Sequence, residues 1–136
     1  MDAVIKETLR LRPVLPIVLR RLKAPMEIGG FELPAGVSAV PCIYLMHRRE
    51  DIYPDARAFR PERFLERPAG TYTWIPFGGG VRRCLGASFA QFEMAAVLRV
   101  LARRCERLEP DALVPERTAR RSITLVPARE GRVLVA

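Results

Sequence analysis

The sequence predicts a mainly α fold with small β-sheets, an α+β class. Three observations carry this. From Ala87 to Ala102 only Glu93 and Arg99 are charged, a sustained helical stretch covering residues 86–104. Short apolar runs elsewhere are broken by Gly and Pro at turn spacing, as in Met26-Glu27-Ile28-Gly29-Gly30-Phe31-Glu32-Leu33. Twelve prolines in 136 residues make the chain turn often.

The elements follow in order. Residues 1–11 read as a helix, with Val4, Leu9 and Leu11 apolar among charged neighbours and Pro13 ending it. From Pro13 to Leu19 the chain is extended, because residues before proline avoid the helical region. Residues 26–33 form a hairpin about Gly29-Gly30, Pro34-Ala35-Gly36 turns, and Val37 to Val40 is a third short strand. Cys42 to Arg49 is a short helix, and Asp51 to Phe64 is polar and irregular. Residues 86–104 are apolar around most of the helix circumference, as for a helix buried on nearly all sides, and so short a chain cannot easily surround it. Past Pro110, Ser122 to Val126 and Arg132 to Val135 read as strands joined by Glu130-Gly131.

Length suits one modest domain, and 49% hydrophobic and 28% charged residues are ordinary for a globular protein. The net charge of +8 comes from dispersed arginines without a stripe of stacking aromatics, which argues against nucleic acid and leaves an acidic protein partner open. Cys42, Cys84 and Cys105 are odd in number and widely spaced, so a disulfide framework is not expected and a reducing, cytoplasmic compartment fits. No apolar run reaches membrane-spanning length, and Met1 to Glu7 lacks the pattern of a signal peptide.

Chemistry concentrates in Phe77-Gly78-Gly79-Gly80-Val81-Arg82-Arg83-Cys84-Leu85-Gly86. Three glycines let the backbone approach a ligand closely. The following helix start and the cations Arg82 and Arg83 favour a thiolate at Cys84. Cys42 and Cys105, by contrast, read as small buried apolar residues. Structural zinc needs about four close-spaced Cys/His ligands, and the chain has a single histidine, His47. A phosphate loop would need a lysine after the glycines, and Arg83 stands where a dinucleotide loop has its third glycine. A Cys/His nucleophile pair is available only through His47. A lone thiolate suits an axial ligand of haem iron, whose macrocycle supplies about four in-plane ligands, with Arg82 placed to pair with a propionate. A thiol-based redox or peroxidase module using Cys84 without haem stays open.

The order Glu7-Thr8-Leu9-Arg10, then Pro61-Glu62-Arg63-Phe64, then the cysteine loop resembles the cytochrome P-450 superfamily, the haem-thiolate monooxygenases. Phe77, Gly78, Gly80, Arg82, Cys84 and Gly86 match the family loop, and His47-Arg48, Phe89-Ala90 and Glu93-Met94 match common members. The resemblance covers almost the whole chain. It implies the haem-binding C-terminal part of one domain: a Glu-x-x-Arg helix at 1–12, an extended run and hairpins at 13–41, a meander and cysteine-ligand loop at 61–86, a long buried helix at 87–105, and a hairpin at 120–136. It implies haem b (iron protoporphyrin IX), with Cys84 as axial ligand and Phe77, Gly78, Gly80, Arg82, Leu85, Gly86, Ala90 and Arg20 around it. Arg20 would be a second propionate partner, and Glu7, Arg10 and Arg63 would form a buried charge network. Val14, Leu15 and Val18 would line the pocket of an apolar substrate. The implied reaction inserts one oxygen atom of O2 into that substrate with electrons from a ferredoxin or reductase. The family's oxygen-activating helix precedes the Glu-x-x-Arg pair and is not in this sequence, so the resemblance implies a fragment or truncated product that is not competent alone. A non-catalytic haem-binding remnant is the accompanying alternative.

Overall fold

The computed structural model describes residues 1–111 and 113–135. Among the described residues there are four α-helices and four two-stranded antiparallel pairings, with a small core. Helix α1 (Asp2–Leu11) ends before Pro13, and Arg12 N–H still donates to the Thr8 carbonyl at 2.7 Å. Ala3, Ile5 and Leu9 are buried on it, but so are Glu7 and Arg10, while Val4 is exposed. The inward face of α1 is therefore partly ionic, not the apolar stripe expected of a surface helix.

The chain then runs extended past Ile17, which bridges to Cys42. Strand β1 (Arg20–Arg21) pairs with β4 (Ser38–Ala39). Between them β2 (Met26–Ile28) and β3 (Phe31–Leu33) form the hairpin expected at Gly29-Gly30. Both glycines have positive φ, 60° and 83°, the left-handed geometry that a two-residue turn demands. The helix expected over Cys42 to Arg49 is a single turn, α2 (Ile43–Met46), and a second turn, α3 (Arg63–Glu66), interrupts the end of the irregular 51–64 stretch.

Helix α4 (Ala87–Arg104) is the longest element, with Cys105 already extended beyond it. It packs on α1 near its start, and only Ala87 is buried. The helix expected at 87–105 is not buried by this chain, as the chain's shortness predicted: Phe89 and Phe92 are each 68% exposed, and Val97 and Val100 about half so. Its apolar side chains span more of the circumference than α1 covers, and α1 is the helix that packs on it most extensively among the described residues.

The C-terminal hairpin is corrected. Strand β6 (Thr118–Arg121) pairs with β7 (Thr124–Pro127), so the turn lies at Ser122-Ile123. Strand β8 (Val133–Val135) pairs instead with β5 (Leu108–Pro110). Glu130 and Gly131 do turn the chain, with φ of 62° and 65°, but they join strands of different sheets. Ala136, the last residue of the expected hairpin, lies outside the described residues. No helix among the described residues is long and apolar enough to cross a membrane.

Candidate functional site

The cysteine loop is built from short backbone bonds. Gly78 N–H donates to the Ile75 carbonyl at 2.9 Å, and Arg83 N–H to the Gly80 carbonyl at 3.0 Å across the 3-10 turn Gly80–Arg82. Gly78 and Gly80 have φ of 71° and 64°, conformations other residues rarely adopt. Cys84 N–H then donates to the Phe77 carbonyl at 3.0 Å, which closes the loop, and Ala87 N–H to the Cys84 carbonyl at 3.3 Å, which leads into α4. Cys84 is exposed, as are Val81 and Leu85 beside it. A Cβ placed on Gly86 would sit 3.9 Å from Cys84 Sγ, so glycine there keeps the space beside the sulfur clear. Arg82 and Arg83 are exposed and in no ion pair among the described residues.

Behind the loop stands a buried ionic frame. Arg10 and Glu7 are both fully buried and meet in a bidentate pair, Nε to Oε2 at 2.7 Å and Nη2 to Oε1 at 2.8 Å. Arg63 Nε and the Arg60 amide donate to the same Oε1 at 3.2 and 2.8 Å. The remaining Arg10 donors reach the carbonyls of His47 at 2.6 Å, Ala56 at 2.7 Å and Ala58 at 3.2 Å. Every hydrogen-bonding group of this pair thus has a partner, as a buried ion pair requires. Burial alone would raise the Glu7 pKa, but the Arg10 hydrogen bonds, the Arg60 amide and the two guanidinium charges together hold it below its ordinary value. Tyr53 closes the frame with its ring 5.0 Å from the Arg10 guanidinium carbon.

His47 connects this frame to the loop. Its Nδ1 lies 3.2 Å from the Arg10 carbonyl, and the Ile75 amide lies 2.9 Å from its Nε2. A carbonyl only accepts and an amide N–H only donates, so the ring is neutral with its proton on Nδ1. Burial above all, with the charges of Arg10 and Arg48, holds its pKa down at about 4 despite the bond to the Arg10 carbonyl. Arg48 donates to the Leu11 carbonyl at 2.6 Å, so His47 and Arg48 together satisfy carbonyls at the C-terminus of α1. Trp74 adds a further tie through Nε1 to the Lys6 carbonyl at 3.0 Å. An aromatic row, Tyr53, Phe64, Trp74 and Phe77, runs from the frame to the loop with centroid spacings of 6.3 to 6.5 Å, its first pair tilted and the next two edge-on.

Among the residues singled out from sequence, Glu7, Arg10 and Arg63 are brought together, and Val18 and Arg20 lie against the loop. A Cβ on Gly78 would meet Val18 Cγ1 at 3.9 Å and Arg20 Nη2 at 4.0 Å. Arg20 also donates to its own neighbour's carbonyl, Leu19, at 2.8 Å. Phe77, Ala90, Leu15 and Val18 are half-buried. Val14 is placed elsewhere, in an apolar groove of about 460 Å³ shared with Leu9, Leu125 and Val126. Sequence alone gives no positional role to His47 or Trp74, because both act through backbone groups 28 to 68 residues away. The available signal is composition: His47 is the only histidine and Trp74 the only tryptophan in the chain.

Among the described residues no three His, Cys, Asp or Glu side chains cluster to hold a metal ion. Cys84 is a solitary soft donor on a glycine loop, flanked by exposed apolar side chains and cations. That donor set fits a metal whose other ligands arrive with a flat organic macrocycle, and it does not fit a bare ion.

The fold points the same way. Chain and structure superpose on the retinoic acid-bound cyanobacterial CYP120A1 with a TM-score of 0.88 at 29% identity, covering 99% of this chain and 32% of that one. For CYP175A1 of Thermus thermophilus the values are 0.82 and 41%, over 97% of this chain and 33% of that one. The cytochrome P450 family model matches residues 1–135, and the chain belongs to that family. It is 47% identical to a Mycobacterium tuberculosis protein named cytochrome P450 135B1, over 99% of this chain and 28% of that relative. It is 49% identical to cytochrome P450 137 of the same species, over 96% of this chain and 27% of the relative. The chain thus spans somewhat over a quarter of the length of these relatives. Family membership implies a haem cofactor.

Proposed function

We propose that this chain is the haem-binding C-terminal portion of a monooxygenase, with Cys84 as the axial ligand of haem b. The observation that carries the reading is the exposed Cys84 sulfur on a loop closed by its own amide onto Phe77, with no other metal-ligating cluster among the described residues. When bound, such a haem supplies reductive activation of O2 and transfer of one oxygen atom into an organic substrate, and thiolate ligation favours O–O cleavage.

The chain's own residues hold and surround the group. Gly78, Gly80 and Gly86 would let the backbone approach it closely, Phe77 would pack near the sulfur, and Leu85 and Ala90 would offer apolar contact. Arg82 and Arg20 offer guanidinium groups to its carboxylates. The Glu7–Arg10–Arg63 frame fixes the loop from behind. Val14, Leu15 and Val18 favour an apolar substrate. Arg82 and Arg83 give the surface beside Cys84 a positive charge suited to an acidic electron donor, a ferredoxin or reductase. The exposed apolar face of α4 supports a further unit that covers it, which in turn supports haem binding without turnover by the isolated chain.

Haem reconstitution tests the reading. The reduced carbon-monoxide adduct of the chain is expected to show the red-shifted Soret band of thiolate ligation, and Cys84→Ser to lose it. Persistence of the band in that variant removes Cys84 from the role.

A further inference from the structure

The position of His47 is not explained by the ionic frame alone. Its Nδ1–H could satisfy the end of α1 from any polar side chain, yet the opposite edge of the ring is also used, and by a backbone amide just before the glycine turn. From that amide a short relay leads to the sulfur. Ile75 N–H binds His47 Nε2 at 2.9 Å, the Ile75 carbonyl receives Gly78 N–H at 2.9 Å, and the Phe77 carbonyl receives Cys84 N–H at 3.0 Å. His47 is fully buried, so the ring has no water to exchange these partners for. Its ring stands perpendicular to that of Tyr53, with centroids 6.4 Å apart. The chain segment at 75–78 has few other anchors to the frame, Trp74 Nε1 to Lys6 being the neighbouring one.

We propose that His47 is a positioning residue for the Cys84 loop: as the neutral Nδ1–H tautomer it struts the Arg10 carbonyl against the Ile75 amide and fixes the loop that presents the sulfur. The strut makes the loop geometry depend on which ring nitrogen is bare. Only its spectroscopic consequence rests on Cys84 being a haem ligand; the backbone consequence does not.

Two substitutions separate the two ends of the strut. Asn places an amide N–H where Nδ1 stood but reaches no further, so His47→Asn keeps the α1 bond and orphans the Ile75 amide. Gln reaches the Nε2 position with a carbonyl oxygen, so His47→Gln keeps the Ile75 bond and gives up the α1 bond. In the chain without haem, amide hydrogen exchange at Ile75 is expected to speed about tenfold or more in His47→Asn, the order expected when a buried amide loses its acceptor, and exchange at Gly78 and Cys84 to speed with it as the loop loosens. In His47→Gln it is expected to stay within about threefold of wild type. Equal exchange in the two variants overturns the proposal. So does a wild-type imidazole whose nitrogen-15 shifts report the proton on Nε2, a measurement that decides even where the Asn variant does not fold. With haem bound, the fraction of the carbon-monoxide adduct showing thiolate ligation is expected to fall in His47→Asn and to hold in His47→Gln. If neither form of the chain takes up haem, the exchange and tautomer results still stand, and only the ligand assignment fails.

Discussion

Glu7→Ala is expected to destabilise the folded chain by about 3–5 kcal/mol. The Glu7 carboxylate accepts from Arg10 Nε, Arg10 Nη2, Arg63 Nε and the Arg60 amide. Hydrogen bonds to charged groups contribute roughly 1.5–3 kcal/mol each, but the four are not equal. The Arg63 side chain is 10% exposed and keeps the Pro54 carbonyl, so it turns partly to water. Arg10 has no such exit, since its side chain is wholly buried. After truncation its guanidinium faces only the carbonyl dipoles of His47, Ala56 and Ala58, with no countercharge against it. The loss therefore concentrates on its two bonds to Glu7 and on the charge they leave uncompensated. Urea unfolding at pH 7 followed by circular dichroism measures it. Glu7→Gln, which keeps shape and one acceptor oxygen, is expected to lose less. Glu7→Leu combined with Arg10→Met leaves no buried charge and is expected to recover more than half of the Glu7→Ala loss. A Glu7→Ala loss below about 1 kcal/mol, the range of exposed ion pairs, would refute the reasoning. A double variant no more stable than Glu7→Ala would refute it equally.

Three further outcomes follow from other parts of the structure. His47 sits at about 4 instead of 6.5, so between those pH values the unfolded chain binds a proton that the folded chain does not. Stability is expected to drop by about 3 kcal/mol as pH falls through that window. His47→Gln flattens the dependence there, and a wild-type profile that is flat from pH 7 to 4 contradicts it. Glu7, held below 4.5, adds a loss in the same direction at lower pH, as its own folded value is passed. Gly80→Ala forces a Cβ into φ of 64° with nothing within 4 Å to clash, so only backbone strain of about 1–2 kcal/mol is expected; Gly80→Asn, which tolerates that region better, is expected to lose less in the same urea titration. Phe92→Glu on the open face of α4 is expected to change stability by no more than about 0.5 kcal/mol and to raise solubility, and a loss above 1 kcal/mol, on the scale of a buried site, shows that face covered.

What sequence made legible was local. The Gly29-Gly30 hairpin, the span of α4 and the glycine loop before Cys84 each depend on residues within a few positions of one another. What it hid was pairing at a distance. Val133–Val135 is equally apolar whether it folds back on its neighbour or onto Leu108–Pro110, and the strongest nearby turn signal, Glu130-Gly131, favours the wrong partner. The true hairpin turn is made by Ser122 at φ of 58°, a conformation without a glycine to announce it. The exposure of α4 was legible for the converse reason: apolar composition states what a helix can bury, and so short a chain has little to bury it with. In the candidate site, Cys84 and Glu7-x-x-Arg10 stand out as spaced motifs. His47 and Trp74 do not, because their partners are main-chain atoms with no signature of their own.

Arg10 also fixes an order of events. Its guanidinium joins carbonyls 37, 46 and 48 residues along the chain, and Glu7 holds an amide 53 residues away. None of these bonds forms until loops of that length have closed, and closure entropy is lost before the contacts return it. Hairpins and α4 need no such wait. The ionic junction thus forms later than those local elements, and its loss frees several distant segments at once. Weakening it shortens the lifetime of the folded chain more than it delays folding.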